Sequence, residues 1–356
     1  MRASPHPGCC GIDTGVGAAA TRHKREQRGE GLVQAWVVEE LAGLEALRLV
    51  ERPPPAAPGP GEVTVAVSAV GLNYPDLLML SGGYQYRPPL PFTPGMEGVG
   101  RITAVGEGLS GDLLGHRLLL GGRTGLLAGE VTLSLSQLRE VPEALSDAQA
   151  AAFTTGALTA WVALVARGRL RPGEHVLVLG AGGGMGLAAV AMAKALGAEV
   201  TAAASSEAKL QAARAAGADR LLLLDRDAPD LSACKGACDL LFDPVGGAAV
   251  LPALKALRWG GRYLVIGFVA GTPVRVPTNL ALLKGLEIFG VRAGEAGRQD
   301  PALGKHALAE IDRIAATGQL RPHVGLEVPF ERAPDAFRAM DEGRLVGKAV
   351  IRGPGL

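Results

Sequence analysis

The sequence predicts an α/β protein in which an irregular, mostly antiparallel β domain precedes a doubly wound parallel sheet with helices on both faces. Three observations carry this expectation. Residues 62–67 alternate polar and apolar with period two, and further short β-type runs follow at 98–105 and 117–120. From residue 176 onward, short apolar runs alternate with helix-length segments that end in glycine. The 356 residues suit about two domains at about 100–200 residues each.

Composition narrows the function classes. The formal net charge is +1, which argues against a role on nucleic acid or an anionic membrane, because phosphate binding needs surplus cations. Apolar residues make up 48% of the chain and aromatic ones only 4%, so the cores must rest on Ala, Val and Leu. The 51 glycines and 24 prolines show no collagen-like period and fall between apolar runs. No apolar run reaches the roughly 18 residues of a membrane span. The four cysteines, Cys9, Cys10, Cys234 and Cys238, make no disulfide framework and fit a reducing cytoplasmic setting.

Residues 1–31 hold Cys9-Cys10, an alanine run and the basic cluster Arg22-His23-Lys24-Arg25 without apolar periodicity, and read as a disordered leader. Strands are expected at 34–38 and 46–51, then a turn at Pro53-Pro54-Pro55, then the strands at 62–67, 98–105 and 117–120. Ser146 is the expected N-cap of a helix through Phe153, and a second helix is expected over 159–167. After Pro172-Gly173 the alternation begins: strand 176–179, helix 185–196, strand 199–204, helix 207–216, and strands 220–224, 239–242 and 263–266. A strand at 286–291, a helix at 305–317 and a last strand at 348–351 complete the reading.

The most informative segment runs from Val176 to Gly186, a buried strand entering a glycine-rich turn that opens a helix. A strict G-x-G-x-x-G register is absent, and Ala181, Gly183 and Gly186 form the best one. Gly183 and Gly184 remove Cβ atoms where a pyrophosphate would approach, and Gly186 lets helix pack on strand. The helix N-terminus adds unpaired N–H groups and the positive end of its dipole. This context predicts dinucleotide binding. The second strand ends Ala204-Ser205-Ser206 with no acid at its tip, and Lys209 follows. Hydroxyls and a cation accept a 2′-phosphate that a carboxylate would repel, so NADPH is expected over NADH. The rival reading of Lys209 is a solvated surface lysine.

None of the six histidines has zinc spacing with a partner in an ordered region, and Cys234 and Cys238 have no second pair, so no metal site is expected. No G-x-S-x-G elbow is present. A cofactor must then carry the chemistry, with the protein orienting it and stabilising developing negative charge.

Several blocks together point to one family. They are Gly71-Leu72-Asn73-Tyr74-Pro75-Asp76-Leu77-Leu78, Ser81-Gly82-Gly83-Tyr84-Gln85, the stretch Pro88 to Gly95, the glycine turn, Asp243-Pro244-Val245-Gly246-Gly247, Gly260-Gly261-Arg262, Pro277-Thr278-Asn279-Leu280 and Gly347-Lys348. In this order they resemble the zinc-free quinone oxidoreductase (zeta-crystallin-like) branch of the medium-chain dehydrogenase/reductases, over about residues 32–353. The resemblance implies a GroES-like catalytic domain (32–151, completed by a C-terminal return at 293–356) around a Rossmann NADPH-binding domain (152–292). Zinc-dependent relatives carry Cys where Asn73 stands and His where Met96 stands, and both are missing.

Carried over by position, Asn73 lies by the nicotinamide and the substrate oxygen, and Tyr84 lines the same cleft. Thr159 sits near the nicotinamide ribose or phosphates, Ala181, Gly183, Gly184, Met185 and Gly186 hold the pyrophosphate, and Ser205 and Lys209 the 2′-phosphate. Gly246, Gly267 and Phe268 border the nicotinamide half, with Lys348 near the cleft. Rival readings make Asn73 a side-chain loop cap, Tyr84 a turn aromatic with a wet hydroxyl, and Asp243 plain strand-end turn chemistry. Two departures stand out: Leu224 occupies a position where some relatives place a Tyr on the adenosine phosphate, and 111–130 is short and glycine-rich.

The implied function is NADPH-dependent, zinc-independent reduction of a quinone or related conjugated carbonyl. Alternatives are a 2-enoyl thioester reductase, with Arg87 and Arg292 as candidates for carrier phosphates, and a non-catalytic NADPH-binding protein. A homodimer is expected, paired through an edge strand near 262–268 or 287–291.

Overall fold

A computed structural model describes residues 31–271, 273 and 275–355. The expected leader, with Cys9 and Cys10, lies outside the described residues except for Gly31.

The chain starts with a hairpin of β1 (Val33–Val38) and β2 (Leu47–Arg52). A second sheet takes β3 (Glu62–Gly71), β4 (Glu97–Val105), β5 (Arg117–Gly121), β6 (Glu130–Ser134) and β7 (Arg139–Glu140), all antiparallel. Helix α1 (Tyr74–Leu80) leaves β3 directly. Alternating side chains send Val63, Val65 and Val67 to a core shared with Trp36, Leu72 and Phe92.

The parallel sheet holds β8 (His175–Leu179), β9 (Glu199–Ala204), β10 (Arg220–Leu223), β11 (Cys238–Asp243), β12 (Leu257–Val265) and β13 (Glu287–Gly290). Their spatial order is β10-β9-β8-β11-β12-β13, the doubly wound order that reverses between β8 and β11. Strands β8 and β11 are buried along their whole length, as expected for a sheet covered on both faces. Helix α2 (Thr154–Trp161) packs on α3 (Gly184–Ala195), while α4 (Glu207–Ala215) joins β9 to β10. Helix α5 (Pro301–Ala316) packs on α2 and shares the parallel sheet's core through Ile311 and Ile314. The return to the first domain therefore lies beyond α5, later than the boundary at residue 293. Strands β14 (Val324–Val328) and β15 (Lys348–Arg352) complete the mixed sheet in the order β14-β15-β3-β4-β5-β7, with β6 also on β3.

Several expectations shift. The 159–167 helix begins at Thr154 and passes into a π-helical run over Val162–Arg167. Its exit is held by Arg262, whose guanidinium donates to the carbonyls of Gly168 (2.6 Å) and Arg169 (3.1 Å). Helix α5 starts at Pro301 rather than 305, because Asp300 caps it by accepting from Leu303 N–H at 3.0 Å. Strand β12 is interior, paired with both β11 and β13, so only the outer rim of β13 remains of the two expected edges.

Candidate active site

The glycine turn sits at the carboxyl end of β8, beside the point where strand order reverses. Gly183 occupies the N-cap position of α3, with Gly184, Met185 and Gly186 as its first turn. A Cβ at Gly186 would stand 2.3 Å from Gly180 O, so this glycine lets α3 seat on the turn. Gly184 is explained differently from the expectation, and Gly182, for which none was stated, has a similar reason. A Cβ at Gly182 would meet Lys209 Cβ at 2.2 Å, and one at Gly184 would meet Lys348 Cδ at 2.5 Å. The turn is thus flanked by two lysine stems, and Gly184's small size serves Lys348. Gly183 is the exception: its Cβ would find only Gly180 O, at 3.6 Å.

The neighbouring loops close around this turn. A Cβ at Gly180 would touch Val245 Cγ2, and the 243–247 loop is zipped to 266–271 by Ile266 N–H to Asp243 O (2.9 Å) and Ala270 N–H to Val245 O (2.9 Å). Gly246, Gly267 and the exposed Phe268 therefore cluster at the carboxyl edge of β11 and β12. Asp243 performs turn chemistry: its Oδ1 accepts from Val245 and Gly246 N–H, both at 2.8 Å, and its Oδ2 from Tyr263 Oη at 2.9 Å. Burial raises its pKa against those bonds.

At the far end of the turn, Ser205, Lys209 and Arg226 come together. Arg226 Nη2 lies 3.4 Å from Ser205 Oγ, and Lys209 Nζ donates to Gly343 O at 2.9 Å. Ser206 caps α4. Burial first, then the Arg226 charge, lower the Lys209 pKa. Lys209 is thus half-buried over the turn rather than a free surface lysine, and Arg226 is a second cation that sequence reasoning misses. It follows Leu224 by two residues in a loop without periodicity.

Across the domain boundary lies a buried polar cluster. The backbone bridge Gly183–Gly347 and the bond from Gly347 N–H to Gly182 O (2.8 Å) bring Lys348 to α3. Lys348 Nζ donates to Asn73 Oδ1 and to Glu97 Oε1, each at 2.7 Å. Asn73 Nδ2 donates to Glu97 Oε1 at 2.9 Å and reaches Gly71 O at 3.4 Å. Glu97 Oε2 accepts from Thr155 N–H at 2.8 Å, at the start of α2. One carboxylate thereby joins the first domain, the parallel-sheet domain and the C-terminal return. Asn73 stands at the N-cap position of α1, yet its side chain serves this cluster; its backbone N–H is met by Asp76 Oδ2 at 2.9 Å. Gly95 N–H donates to Asp76 Oδ1 at 3.1 Å. Full burial pushes the Asp76 carboxyl up to about 7, against these bonds and the Lys348 charge.

Sequence reasoning places Asn73 and Lys348 at this site but not Glu97 or Asp76, although Asp76 lies inside one of the quoted blocks and Glu97 two residues beyond another. Tyr84 is half-buried against the first domain's core, and its hydroxyl has no hydrogen bond among the described residues. Thr159 lies one helical turn beyond Thr155 on the same face of α2, half-buried, outside the hydrogen-bonded cluster. A second seam runs beside it: Arg139 binds Asp312 (3.1 Å) and Thr154 Oγ1 (2.7 Å).

These residues do not make a zinc site. Asn73 and the Lys348 ammonium fill the position with a neutral amide and a cation, Met96 packs in the core, and no group of three His, Cys, Asp or Glu is placed to hold a metal among the described residues. A dinucleotide's fit is different: a strand-turn-helix cradle whose Gly183 position is open, two flanking lysines and no acid at the β9 tip all suit a phosphorylated ligand.

A doubly wound sheet with this cradle, facing a polar cluster on a second, β-rich domain, defines a two-domain dehydrogenase/reductase architecture. Family models agree: residues 59–143 match the alcohol dehydrogenase GroES-like domain, and residues 184–307 match the family described as zinc-binding dehydrogenase. Quinone oxidoreductase-like protein 2 of Mus musculus is 33% identical over 335 residues, covering 93% of this chain and 92% of its own. The synaptic vesicle membrane protein VAT-1 homolog of Homo sapiens is 32% identical, covering 90% and 86%. Among solved structures, the quinone oxidoreductase of Thermus thermophilus, described also in complex with NADPH, is 37% identical with a TM-score of 0.77, covering 90% of this chain and 99% of that one. The chain belongs to the medium-chain dehydrogenase/reductase family, in its quinone oxidoreductase-like branch.

Proposed function

We propose that the protein is an NADPH-dependent, zinc-independent reductase of a quinone or related conjugated carbonyl. The observation that carries this reading is the contact of Gly182–Gly184 with Gly347–Lys348, which sets a phosphate cradle against the buried Asn73–Glu97–Lys348 cluster. When bound, NADPH supplies a hydride from its nicotinamide ring. The first-turn N–H groups of α3, with the Lys348 charge behind them, would receive the pyrophosphate. Ser205, Lys209 and Arg226 receive the 2′-phosphate, and the absence of an acid beside them favours NADPH over NADH.

Asn73 has its Oδ1 committed to Lys348 and its Nδ2 to Glu97. Its part is to hold Lys348 against the cradle, a change from the expected direct contact with the acceptor oxygen. Tyr84, whose hydroxyl has no hydrogen bond among the described residues, orients that oxygen and passes it a proton from solvent. Gly246, Gly267 and Phe268 border the nicotinamide end, and Thr159 lines the crevice behind Thr155. The domains of this reading are 32–151 with a return beyond residue 316 for the catalytic part and 152–316 for the Rossmann part, later at its end than the expected 292. A homodimer forms through the outer rim of β13, where Trp259 (77% exposed), Leu282 (81%), Leu283 (72%) and Ile288 (45%) stand in water. Among the described residues no helix is long and apolar enough to cross a membrane, and the buried free thiols of Cys234 and Cys238 suit a reducing cytoplasm.

The test is loss of NADPH absorbance with a panel of quinones, enones and enoyl thioesters, run against NADH and in protein stripped of metal by chelation. Turnover with NADPH that survives chelation supports the reading. Tight NADPH binding without turnover on any acceptor would instead support a non-catalytic binding protein, and failure to bind NADPH removes both.

A further inference from the structure

Resting on that reading, we infer that Arg123, with Arg87 beside it, forms an anion-recognising rim at the crevice mouth, so that the acceptor carries a carboxylate or phosphate remote from its conjugated carbonyl. Register places this rim. Gly71, Glu97 and Gly121 are Cα partners across β3, β4 and β5. Asn73 follows β3 by two residues and Arg123 follows β5 by two, so both leave the sheet at the end where Glu97 holds Lys348. The Arg123 loop is fixed on the strand leading to Glu97: Gly122 N–H donates to Met96 O at 3.0 Å and Gly125 N–H to Thr93 O at 2.7 Å.

The Arg123 guanidinium lies 4.6 Å over the ring of Tyr86, two residues from Tyr84. Arg87 is anchored on the same loop by Nε to Gly82 O at 3.0 Å. Both arginines are exposed, and neither has an ion pair among the described residues. Several exposed arginines elsewhere behave differently: Arg298, Arg313, Arg338 and Arg344 each pair with a carboxylate two or three residues away. Residues 81–96 and 118–129 contain these two arginines and no Asp or Glu. Of the carboxylates at this end, Glu97 and Asp76 are buried and fully engaged by other donors, while the exposed Glu39 and Glu40, in the turn whose Leu41 packs on Gly82, form no ion pair with either arginine among the described residues. A guanidinium stacked on an aromatic face keeps its edge N–H groups for an oxyanion, and the stack restricts its orientation. By contrast Arg292, the other cation weighed for a carrier phosphate, already has the Glu295 carboxylate at 3.9 Å.

Two substrate pairs separate the sources of the anion. One is a 4-oxo-2-enoic acid against its methyl ester; the other is an enoyl-CoA against the same enoyl group on pantetheine, which lacks the phosphates. The expected result is kcat/KM about tenfold higher for the charged member of at least one pair, a preference that shrinks as salt rises. Arg123→Ala erases that preference, while Arg338→Ala, on the exposed face of the Ala333–Asp341 helix, leaves it in place. Calorimetric titration of the protein loaded with the oxidised coenzyme, NADP+, with coenzyme A and with the oxo-enoic acid reads the rim without turnover, and Arg123→Ala is expected to weaken that binding about tenfold. Equal kcat/KM within both pairs, or a preference and affinity untouched by Arg123→Ala, overturns the inference while neutral acceptors can still be reduced. Absence of turnover on every acceptor counts against the reductase reading, and absence of heat with both anions counts against the rim.

Discussion

Replacing Glu97 with glutamine tests the site's central joint. The carboxylate is 2% exposed and accepts from three donors: Lys348 Nζ and Asn73 Nδ2 on Oε1, and Thr155 N–H on Oε2. An isosteric amide has one acceptor oxygen and one donor nitrogen. Whichever way it is flipped, its NH2 faces either Thr155 N–H or the Lys348–Asn73 pair, so donor meets donor. The change also leaves the Lys348 ammonium, 9% exposed, without a counter-charge. Breaking a buried pair by removing one partner costs about 3–5 kcal/mol, and the facing donors belong within that range because they are the same unmet groups. Guanidinium unfolding of the Glu97→Gln variant followed by far-UV circular dichroism should show this loss. The double variant Glu97→Gln/Lys348→Met should recover a measurable part of it, since replacing both charges is far less costly than stranding one. A single-variant loss below about 1 kcal/mol, or a double variant no better than the single, would refute the reasoning.

Gly183→Ala should leave stability within about 0.5 kcal/mol, because its Cβ meets only Gly180 O at 3.6 Å, yet weaken NADPH binding; calorimetry with intact unfolding midpoints checks both halves. Lys209→Ala and Arg226→Ala should each raise KM for NADPH about tenfold and KM for NADH far less, a split that steady-state kinetics with both coenzymes resolves. For Asp76 the folded carboxyl lies at about 7 against an ordinary value of 3.8, so the folded state binds the extra proton. Its contribution is fully present below about pH 4 and is lost as pH rises through about 7. Wild-type stability should therefore fall relative to Asp76→Asn across that window, and parallel stability curves would contradict the shift. Leu282→Lys combined with Leu283→Lys should convert a dimer to monomers in sedimentation; a wild type already monomeric at micromolar concentration ends that proposal.

Local signals in the sequence locate much of this fold. Strands β8 and β11 announce themselves as apolar runs because both faces are covered. Ser146 caps its helix as expected, accepting from Gln149 N–H at 3.2 Å. The start of α2 is not legible, because Thr154 and Thr155 are β-branched and its cap is no local side chain: Glu97 supplies it from 58 residues away. β6, β14 and the Ala333–Asp341 helix are as long as β8 and α4, which are legible, but lack their local signals: β14 carries Gly325 in its interior, and the helix has no side-chain N-cap of the kind Ser206 gives α4. The glycine turn is visible as a motif, but the reason for Gly184 is not, since Lys348 arrives from the other end of the chain. The Asn73–Lys348 bond spans 275 residues and leaves no local trace in sequence. Arg226 is hidden for a simpler reason: cations in loops are common, and only the fold brings this one to Ser205.

The position of β15 sets an order on how the molecule is made. It lies between β14 and β3, so the end of β3 at Ala69, Val70 and Gly71, beyond the stretch that β6 pairs, gains its neighbour on that side only after residue 352 has left the ribosome. The six strands of the parallel sheet, in contrast, are contiguous from residue 175 to residue 290 and can pair while synthesis continues. Until the last strand arrives, the 69–71 end of β3 presents unpaired N–H and C=O groups and the Glu97 carboxylate lacks its ammonium. Nascent chains stalled before residue 348 should therefore engage chaperones through the amino-terminal half, and the cradle and its polar partner mature together in a single late event.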